Sequence, residues 1–156
     1  YFRNLKIIAW TTLIFGLILY FADTFKVKKK LEKDLTIKNI IIIGLLQAFA
    51  IIPGVSRSGI SITAGRFLNF DRHDSTKISF YLSIPALLGA SIITLKDSIN
   101  ENFEFNFLLI ISIILSFIFS YLTIKYFLIY TKKFSLKVFV FYRIILSIII
   151  FIIIYN

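Results

Sequence analysis

The stretch "PGVSRSG", Pro53 to Gly59, separates two short apolar runs, "KNIIIIGLLQAFAII" and "SGISITAGRFLNF". Pro53 cannot continue the hydrogen-bond ladder of a preceding helix, and Gly54 permits the backbone angles of a sharp reversal. A second helix is predicted to start near Ser56 to Ser58, where serine is a good N-cap. The stretch therefore predicts two short helices joined by a tight turn.

The composition around this turn is that of a membrane protein. Hydrophobic residues make up 58% of the 156-residue chain and the mean hydropathy is +0.89, whereas soluble domains use roughly 45–50% apolar residues. A soluble helical core of this size would leave too much apolar surface exposed. We therefore predict an all-α integral membrane protein in contact with membrane lipids.

The charge and cysteine content exclude other classes of protein. The net charge is +10, but the lysines lie in short loops between apolar runs rather than on one face, so no nucleic-acid partner is expected. Cysteine is absent and there is one histidine, which leaves neither disulfides nor thiolate ligands, and no metal-binding residues are assigned.

Four segments are long and apolar enough to cross a bilayer, which takes about 20 residues. They are residues 5–22, 78–95, 107–127 and 138–155. The two runs that flank "PGVSRSG" are too short to span comfortably. Four transmembrane helices and one helical hairpin over residues 39–70 are therefore expected.

The lysines predict how the hairpin lies in the membrane. Lysines are concentrated in residues 26–38 and 125–137, which the positive-inside rule places in the cytoplasm, whereas the acidic loop 96–106 is expected outside. Both lysine-rich loops lie on one side only if residues 39–70 cross the membrane zero or two times. The short pair is most simply a re-entrant hairpin, whose tip must be buried in protein or line a wet cavity.

The residue types at the tip suit a phosphate. The free N–H groups at the start of the second helix form an anion site, Arg57 adds a forked cationic donor, and Ser56, Ser58 and Ser61 add hydroxyls. In the alternative interpretation the serines satisfy the backbone at a helix break and Arg57 extends to the membrane surface. The cost of an arginine at membrane depth favours the functional interpretation.

Three other charged or titratable side chains receive weaker assignments. His73 lies among charges in "NFDRHDSTK", which indicates a solvated cytoplasmic turn. Arg66 either faces the cavity or extends to the membrane surface, and Arg143, just inside the last span, is expected to extend to the surface.

Residues 44–91 resemble the second signature region of the bacterial undecaprenyl-pyrophosphate phosphatases, the bacitracin-resistance proteins. The likeness is carried by "GLLQAFAIIPGVSRSGISITAG" and the following "DRHDSTKISFYLSIPALLGAS". The combination is specific because it includes Gln47, Pro53-Gly54, Ser56 to Gly59, Ser79-Phe80, Pro85 and Gly89-Ala90 at the family's spacing.

The resemblance implies an inverted-repeat fold in which each half contributes one re-entrant hairpin and three spans. Residues 1–22 would then hold the last helix of the first repeat, 23–38 a basic cytoplasmic loop, and 39–156 the second repeat, with its three spans in 78–155. The first hairpin, with the acidic residues and histidine of the family, is not found. The chain is therefore expected to be the C-terminal part of a longer protein, with the missing N-terminal half or a second copy of the chain as possible partners.

The resemblance also implies an activity: hydrolysis of undecaprenyl diphosphate to undecaprenyl phosphate and phosphate at the bacterial inner membrane, which recycles the lipid carrier of cell-wall precursors. Arg57 would clamp the diphosphate, while Ser56 and Ser61, the latter in place of the usual threonine, would orient its oxygens. The expected substrate-binding residues are Gln47, Gly54, Ser58 and Gly59. A divalent cation, Mg²⁺ or Ca²⁺, is implied, with ligands mostly absent from this chain.

Two alternatives stay open at this point. The first is half of a lipid-phosphate transporter or flippase, because such proteins also bind anions on broken helices at the membrane midplane. The second is an inactive, truncated remnant, because the first hairpin is missing. A type-2 phosphatidic acid phosphatase is disfavoured, since Thr63 stands where that family needs a histidine.

Overall fold

The computed structural model describes residues 4–100 and 107–155 of the chain. These residues form seven α-helices and no strand, and a 3₁₀ turn at Ala48–Ile51 follows the third helix. The helices are α1 (Leu5–Asp23), α2 (Leu31–Asp34), α3 (Ile37–Gln47), α4 (Arg57–Phe67), α5 (Arg72–Asn100), α6 (Phe107–Lys133) and α7 (Lys137–Tyr155). The predicted all-α class is confirmed.

Helices α1, α5, α6 and α7 are each long and apolar enough to cross a membrane, which confirms the four predicted spans. The predicted and observed helix limits differ most for α5, which begins at Arg72 rather than near residue 78. The Asp71 carboxylate accepts a hydrogen bond from the Asp74 backbone N–H and starts this helix early. His73 therefore lies in the first turn of a helix, and its predicted place in a solvated turn is wrong.

Helix α6 also extends beyond its prediction, to Lys133 rather than 127. The predicted outer loop 96–106 falls partly on α5, which continues to Asn100, and its remainder lies outside the described residues. The division of the chain into residues 1–22, 23–38 and 39–156 stays a prediction.

Helices α1 and α7 pack side by side in opposite directions. Near one end, the Ser147 hydroxyl donates to the Ala9 carbonyl oxygen over 2.9 Å. At the other end, the Leu136 backbone N–H donates to the Asp23 carboxylate over 3.3 Å. Between them α7 passes very close to Gly16, where an added Cβ would lie 3.3 Å from the Cβ of Arg143. A small residue at Gly16 therefore sets the spacing of the two helices.

Helices α3 and α4 form the predicted helical hairpin. Ile43 of α3 packs on Ala64 of α4 in a buried apolar cluster that also contains Phe70 and Ile78. At the open end of the hairpin, the backbone N–H groups of Lys28 and Lys29 both donate to the Asn69 carbonyl oxygen, over 3.0 and 3.1 Å. The loop after α1 and the end of the hairpin therefore lie together, at the end of α1 that contains Asp23.

The hairpin arms are short. Helices α3 and α4 have 11 residues each, which corresponds to about 16 Å per arm at 1.5 Å per residue. The hydrocarbon core of a bilayer is about 30 Å thick. A single 11-residue helix is therefore about half as long as that core is thick.

Candidate functional site

The hairpin tip is built from residues with unusual backbone angles. Gly54 has φ 91° and Ser56 has φ 63°, in the left-handed region that is open to glycine and costly for a serine. The Ser56 hydroxyl oxygen accepts a hydrogen bond from the Gly59 backbone N–H over 3.2 Å and so caps α4. The predicted reversal at Gly54 and the predicted cap at Ser56 are confirmed, and the α4 N-terminus opens at the tip.

Two threonines of α1 hold the carbonyl oxygens of the tip. The Thr11 hydroxyl donates to the Pro53 carbonyl oxygen over 2.6 Å, and the Thr12 hydroxyl lies 3.4 Å from the Gly54 carbonyl oxygen. An added Cβ at Gly54 would lie 2.8 Å from the Ile8 carbonyl oxygen. The tip is thus seated directly on α1.

Arg143 of α7 contacts the hairpin tip, and this is the principal contact that the sequence analysis missed. Its side chain donates from Nη2 to the Gly54 carbonyl oxygen over 2.6 Å, from Nη1 to the Val55 carbonyl oxygen over 3.2 Å, and from Nε to the Thr12 carbonyl oxygen over 3.3 Å. Only 7% of the residue is exposed. The prediction that Arg143 extends to the membrane surface is wrong, because the bent backbone of the tip supplies carbonyl partners inside the protein.

A cavity of about 450 Å³ opens beside the tip. One end is polar and is formed by Gly54, Ser56, Ser58, Gly59 and Arg143. The remaining walls are mainly apolar and include Leu19, Ile62, Phe127, Leu136, Phe139 and Leu146. A molecule with an anionic head and a long apolar tail matches this division of the cavity.

The predicted site residues separate into two groups. Gly54, Ser56, Ser58 and Gly59 line the cavity, whereas Gln47, Arg57 and Ser61 are not among its lining residues. Arg57 is exposed between the two lining serines. Ser61 is fully buried.

The Ser61 hydroxyl donates to the Gln47 side-chain oxygen over 2.9 Å and lies 3.0 Å from the Arg57 carbonyl oxygen. Ser61 and Gln47 therefore join the two arms of the hairpin just below the tip. Their placement supports the shape of the site rather than direct contact with a ligand in the cavity.

Arg66, at the other end of α4, is only 2% exposed. Its Nη1 donates to the Phe70 carbonyl oxygen over 2.6 Å, and its Nη2 donates to the carbonyl oxygens of Asp23 and Phe25 over 3.0 and 2.6 Å. Of its two predicted placements, extension to the membrane surface is wrong. Arg66 does not line the cavity at the tip either.

Comparison with known proteins places the chain in a family. A model of the family described as "Bacitracin resistance protein BacA" matches residues 1–149. Similar proteins named undecaprenyl-diphosphatase come from Pelagibacter ubique, 63% identical over 99% of this chain, and from Elusimicrobium minutum, 44% identical over 97%. A third, from Campylobacter curvus, is 42% identical over 95% of the chain.

These matches cover 60%, 57% and 56% of the three relatives, so the chain spans less than two thirds of the length of the curated relatives it matches. None of the three names indicates a transporter. Together with the four long apolar helices, the family indicates a multi-pass protein of the bacterial inner membrane. The chain belongs to the bacitracin resistance protein BacA family.

Proposed function

We propose that this chain provides the diphosphate-binding hairpin of an undecaprenyl-diphosphatase. The observation that supports this proposal best is the cavity beside the tip, which has a polar end at the tip and mainly apolar walls. The names of relatives up to 63% identical supply the substrate class. In the proposed reaction a water oxygen bonds to the terminal phosphorus, the bond from that phosphorus to the bridging oxygen breaks, and undecaprenyl phosphate and inorganic phosphate leave.

The tip suits an anion because three of its carbonyl oxygens are already hydrogen-bonded within the protein. Carbonyl oxygens repel phosphate oxygens, and three of them, on Pro53, Gly54 and Val55, already accept hydrogen bonds from Thr11 and Arg143. The N–H groups at the α4 N-terminus are left to face the anion. In this proposal Arg143 and Thr11 are positioning residues, which hold the backbone.

Arg57 is the proposed clamp for the diphosphate. Its neighbours on both sides, Ser56 and Ser58, line the cavity, and its own side chain is exposed. A guanidinium fork pairs with two phosphate oxygens and offsets the charge that develops during transfer. The Ser58 hydroxyl and the backbone N–H groups of Arg57 and Ser58 complete the proposed cradle, because the N–H groups of Gly59 and Ile60 already donate to Ser56. Among the described residues that line the cavity, none is a carboxylate, histidine or lysine that could act as a base for the Ser56 hydroxyl.

The prenyl tail is proposed to follow the apolar walls. The cavity runs from the tip to Leu136, close to the ends of α1 and α6. Phe127 and Phe139 meet edge to face on these walls, with ring centroids 5.1 Å apart. Aromatic and branched side chains of this kind bind a hydrocarbon chain through buried apolar area.

The described residues contain no group of three or more His, Cys, Asp or Glu side chains arranged to hold a metal ion. They therefore do not fit a site for the divalent cation that the family resemblance implies. No step above passes through a metal.

The length and course of the hairpin indicate how deep its tip lies in the membrane. We propose that α3 and α4 enter the bilayer from the lysine-rich side and return to it, because Lys29 and Asn69 lie together and each arm reaches about halfway across. The free backbone N–H groups of the tip then border the cavity rather than lipid, because backbone groups without a partner cannot face the hydrocarbon of the bilayer.

The test uses the chain in proteoliposomes and a chimera that joins it to the part of the Pelagibacter ubique relative that it does not match. Phosphate release from undecaprenyl diphosphate is measured for both. The chimera is expected to release phosphate and the chain alone little or none. Movement of undecaprenyl phosphate across the bilayer without hydrolysis would instead support a transporter, and a folded chimera without either activity would indicate a remnant.

A further inference from the structure

A second cavity, of about 490 Å³, lies at the opposite end of α4 from the tip. It is bounded by the ends of three of the long helices: α1 ends at Asp23, α5 begins at Arg72, and α6 ends one residue after Lys132. Its charged and titratable lining consists of Asp23, Arg66, Asp71, Arg72, His73 and Lys132. No residue of this cavity lines the cavity at the tip.

The inner wall of this cavity holds more positive than negative charge. The Asp23 carboxylate accepts hydrogen bonds from Arg72 Nε over 2.6 Å and from Arg72 Nη2 over 3.1 Å, so its charge is already paired. Arg66 stands 3.8 Å from the same carboxylate, with its side chain 3% exposed. Its Nε has no hydrogen-bond partner among the residues that the structure describes. Two guanidinium groups therefore share one carboxylate.

The outer part of the cavity contains a third permanently charged cation and a histidine. Lys132 is exposed there. His73 is half-buried, and its Nδ1 lies 3.1 Å from the Leu128 carbonyl oxygen, so Nδ1 is the donor and the Nε2 of a neutral ring could accept a hydrogen bond from a protonated phosphate oxygen. The remaining carboxylate, on Asp71, accepts a hydrogen bond of 2.6 Å from the Asp74 backbone N–H. The lining thus has three permanent cations, Arg66, Arg72 and Lys132, against two carboxylates.

We propose that this second cavity binds a phosphate group. Guanidinium and ammonium donors around a recess are the usual partners of phosphate oxygens. The position at the ends of three spans is the depth at which lipid phosphates lie, on the side that the lysine-rich loops assign to the cytoplasm. The ligand is therefore the phosphate of an anionic lipid or dissolved orthophosphate. This inference does not depend on the proposed hydrolysis at the tip.

The test places the chain in nanodiscs of phosphatidylcholine and titrates orthophosphate by calorimetry. In a second arm, the melting temperature is compared between nanodiscs with and without phosphatidic acid. Lys132→Gln removes a cation that lines the cavity, and Lys133→Gln removes the same charge from its exposed neighbour, which does not line it.

Lys132→Gln is expected to weaken binding about 10-fold or more, because it removes a charged hydrogen-bond donor, and Lys133→Gln is expected to leave it unchanged. Binding of orthophosphate alone identifies the dissolved anion, and a melting shift with phosphatidic acid that Lys132→Gln abolishes identifies the lipid. The proposal is overturned if neither probe binds, if Ca²⁺ binds in their place, or if Lys133→Gln weakens binding as much as Lys132→Gln.

Discussion

Arg143 donates a hydrogen bond of 2.6 Å from Nη2 to the carbonyl oxygen of Gly54, which lies 89 positions earlier in the chain. The bond joins the last long helix to the sharpest turn of the hairpin. A buried arginine is costly unless its donors are paired, and a bent backbone is costly unless its carbonyl oxygens are paired. Each group supplies the partner that the other needs.

Arg143→Lys is expected to destabilise the protein although it keeps the charge. A lysine has one ammonium group and cannot replace the fork that reaches the carbonyl oxygens of Gly54, Val55 and Thr12. Each buried carbonyl left unpaired costs about 1–3 kcal/mol. The measurement is the melting temperature in detergent, together with phosphate release by the chimera.

Lys125→Gln serves as the control, because Lys125 is exposed on α6. It is expected to melt like the unchanged chain. An Arg143→Lys variant with an unchanged melting temperature would show that the contacts of Arg143 with the tip do not stabilise the fold.

Gly54→Ala is expected to distort the tip. Gly54 has φ 91°, and an added Cβ would lie 2.8 Å from the Ile8 carbonyl oxygen and 2.9 Å from the Thr12 hydroxyl. Gly44→Ala is the matched control, since no atom of the described residues outside the local helix lies within 4 Å of a Cβ added there. At Gly44, inside α3, alanine is expected to be neutral or to stabilise by about 0.5–1 kcal/mol.

Both variants are compared by melting temperature and by phosphate release from the chimera. Gly54→Ala should lower both, and Gly44→Ala should lower neither. Equal behaviour of the two variants would mean that the left-handed conformation at Gly54 is not required.

Local sequence rules predicted the parts of this fold that depend on neighbouring residues. Four apolar runs predicted the four spans, and Pro53-Gly54 predicted the break between α3 and α4. The serine cap of α4 was predicted because capping involves residues three positions apart, here Ser56 and Gly59.

The partners of the buried arginines were beyond such rules. Arg143 lies inside an apolar run, and an arginine there either extends to the surface or binds a distant polar group. Only the packing of α7 against Gly16 and the tip decides between these placements. The same holds for Arg66, which binds carbonyl oxygens of Asp23 and Phe25 more than 40 positions away. No spacing within the sequence indicates such pairs.

The re-entrant course of the hairpin predicts a pattern of cysteine labelling. The chain has no cysteine, so single cysteines at Lys29, Asn69 and Lys133 can be tested with a membrane-impermeant maleimide. All three are expected to be protected in intact cells and labelled in inverted vesicles, because Lys29 and Asn69 are hydrogen-bonded neighbours on the lysine-rich side. A cysteine placed within residues 101–106 should show the opposite pattern and serves as the control.

Labelling of Asn69 from outside, with Lys29 still protected, would mean that residues 37–67 cross the membrane once. The proposed hairpin would then be wrong, together with the placement of the second cavity on the cytoplasmic side.

Arg57→Lys, made in the chimera, is expected to lower the turnover of undecaprenyl diphosphate roughly 10²–10³-fold, the usual effect of losing one preorganised donor in a transition state. Lysine offers a point charge where two phosphate oxygens require a planar fork. The melting temperature should stay unchanged, because the Arg57 side chain is exposed. This contrasts with Arg143→Lys, for which stability and turnover should fall together, and so the two variants separate a clamp from a positioning residue. If the Arg57→Lys chimera melts normally and keeps near-full turnover, Arg57 does not clamp the diphosphate and the tip acts through its backbone alone.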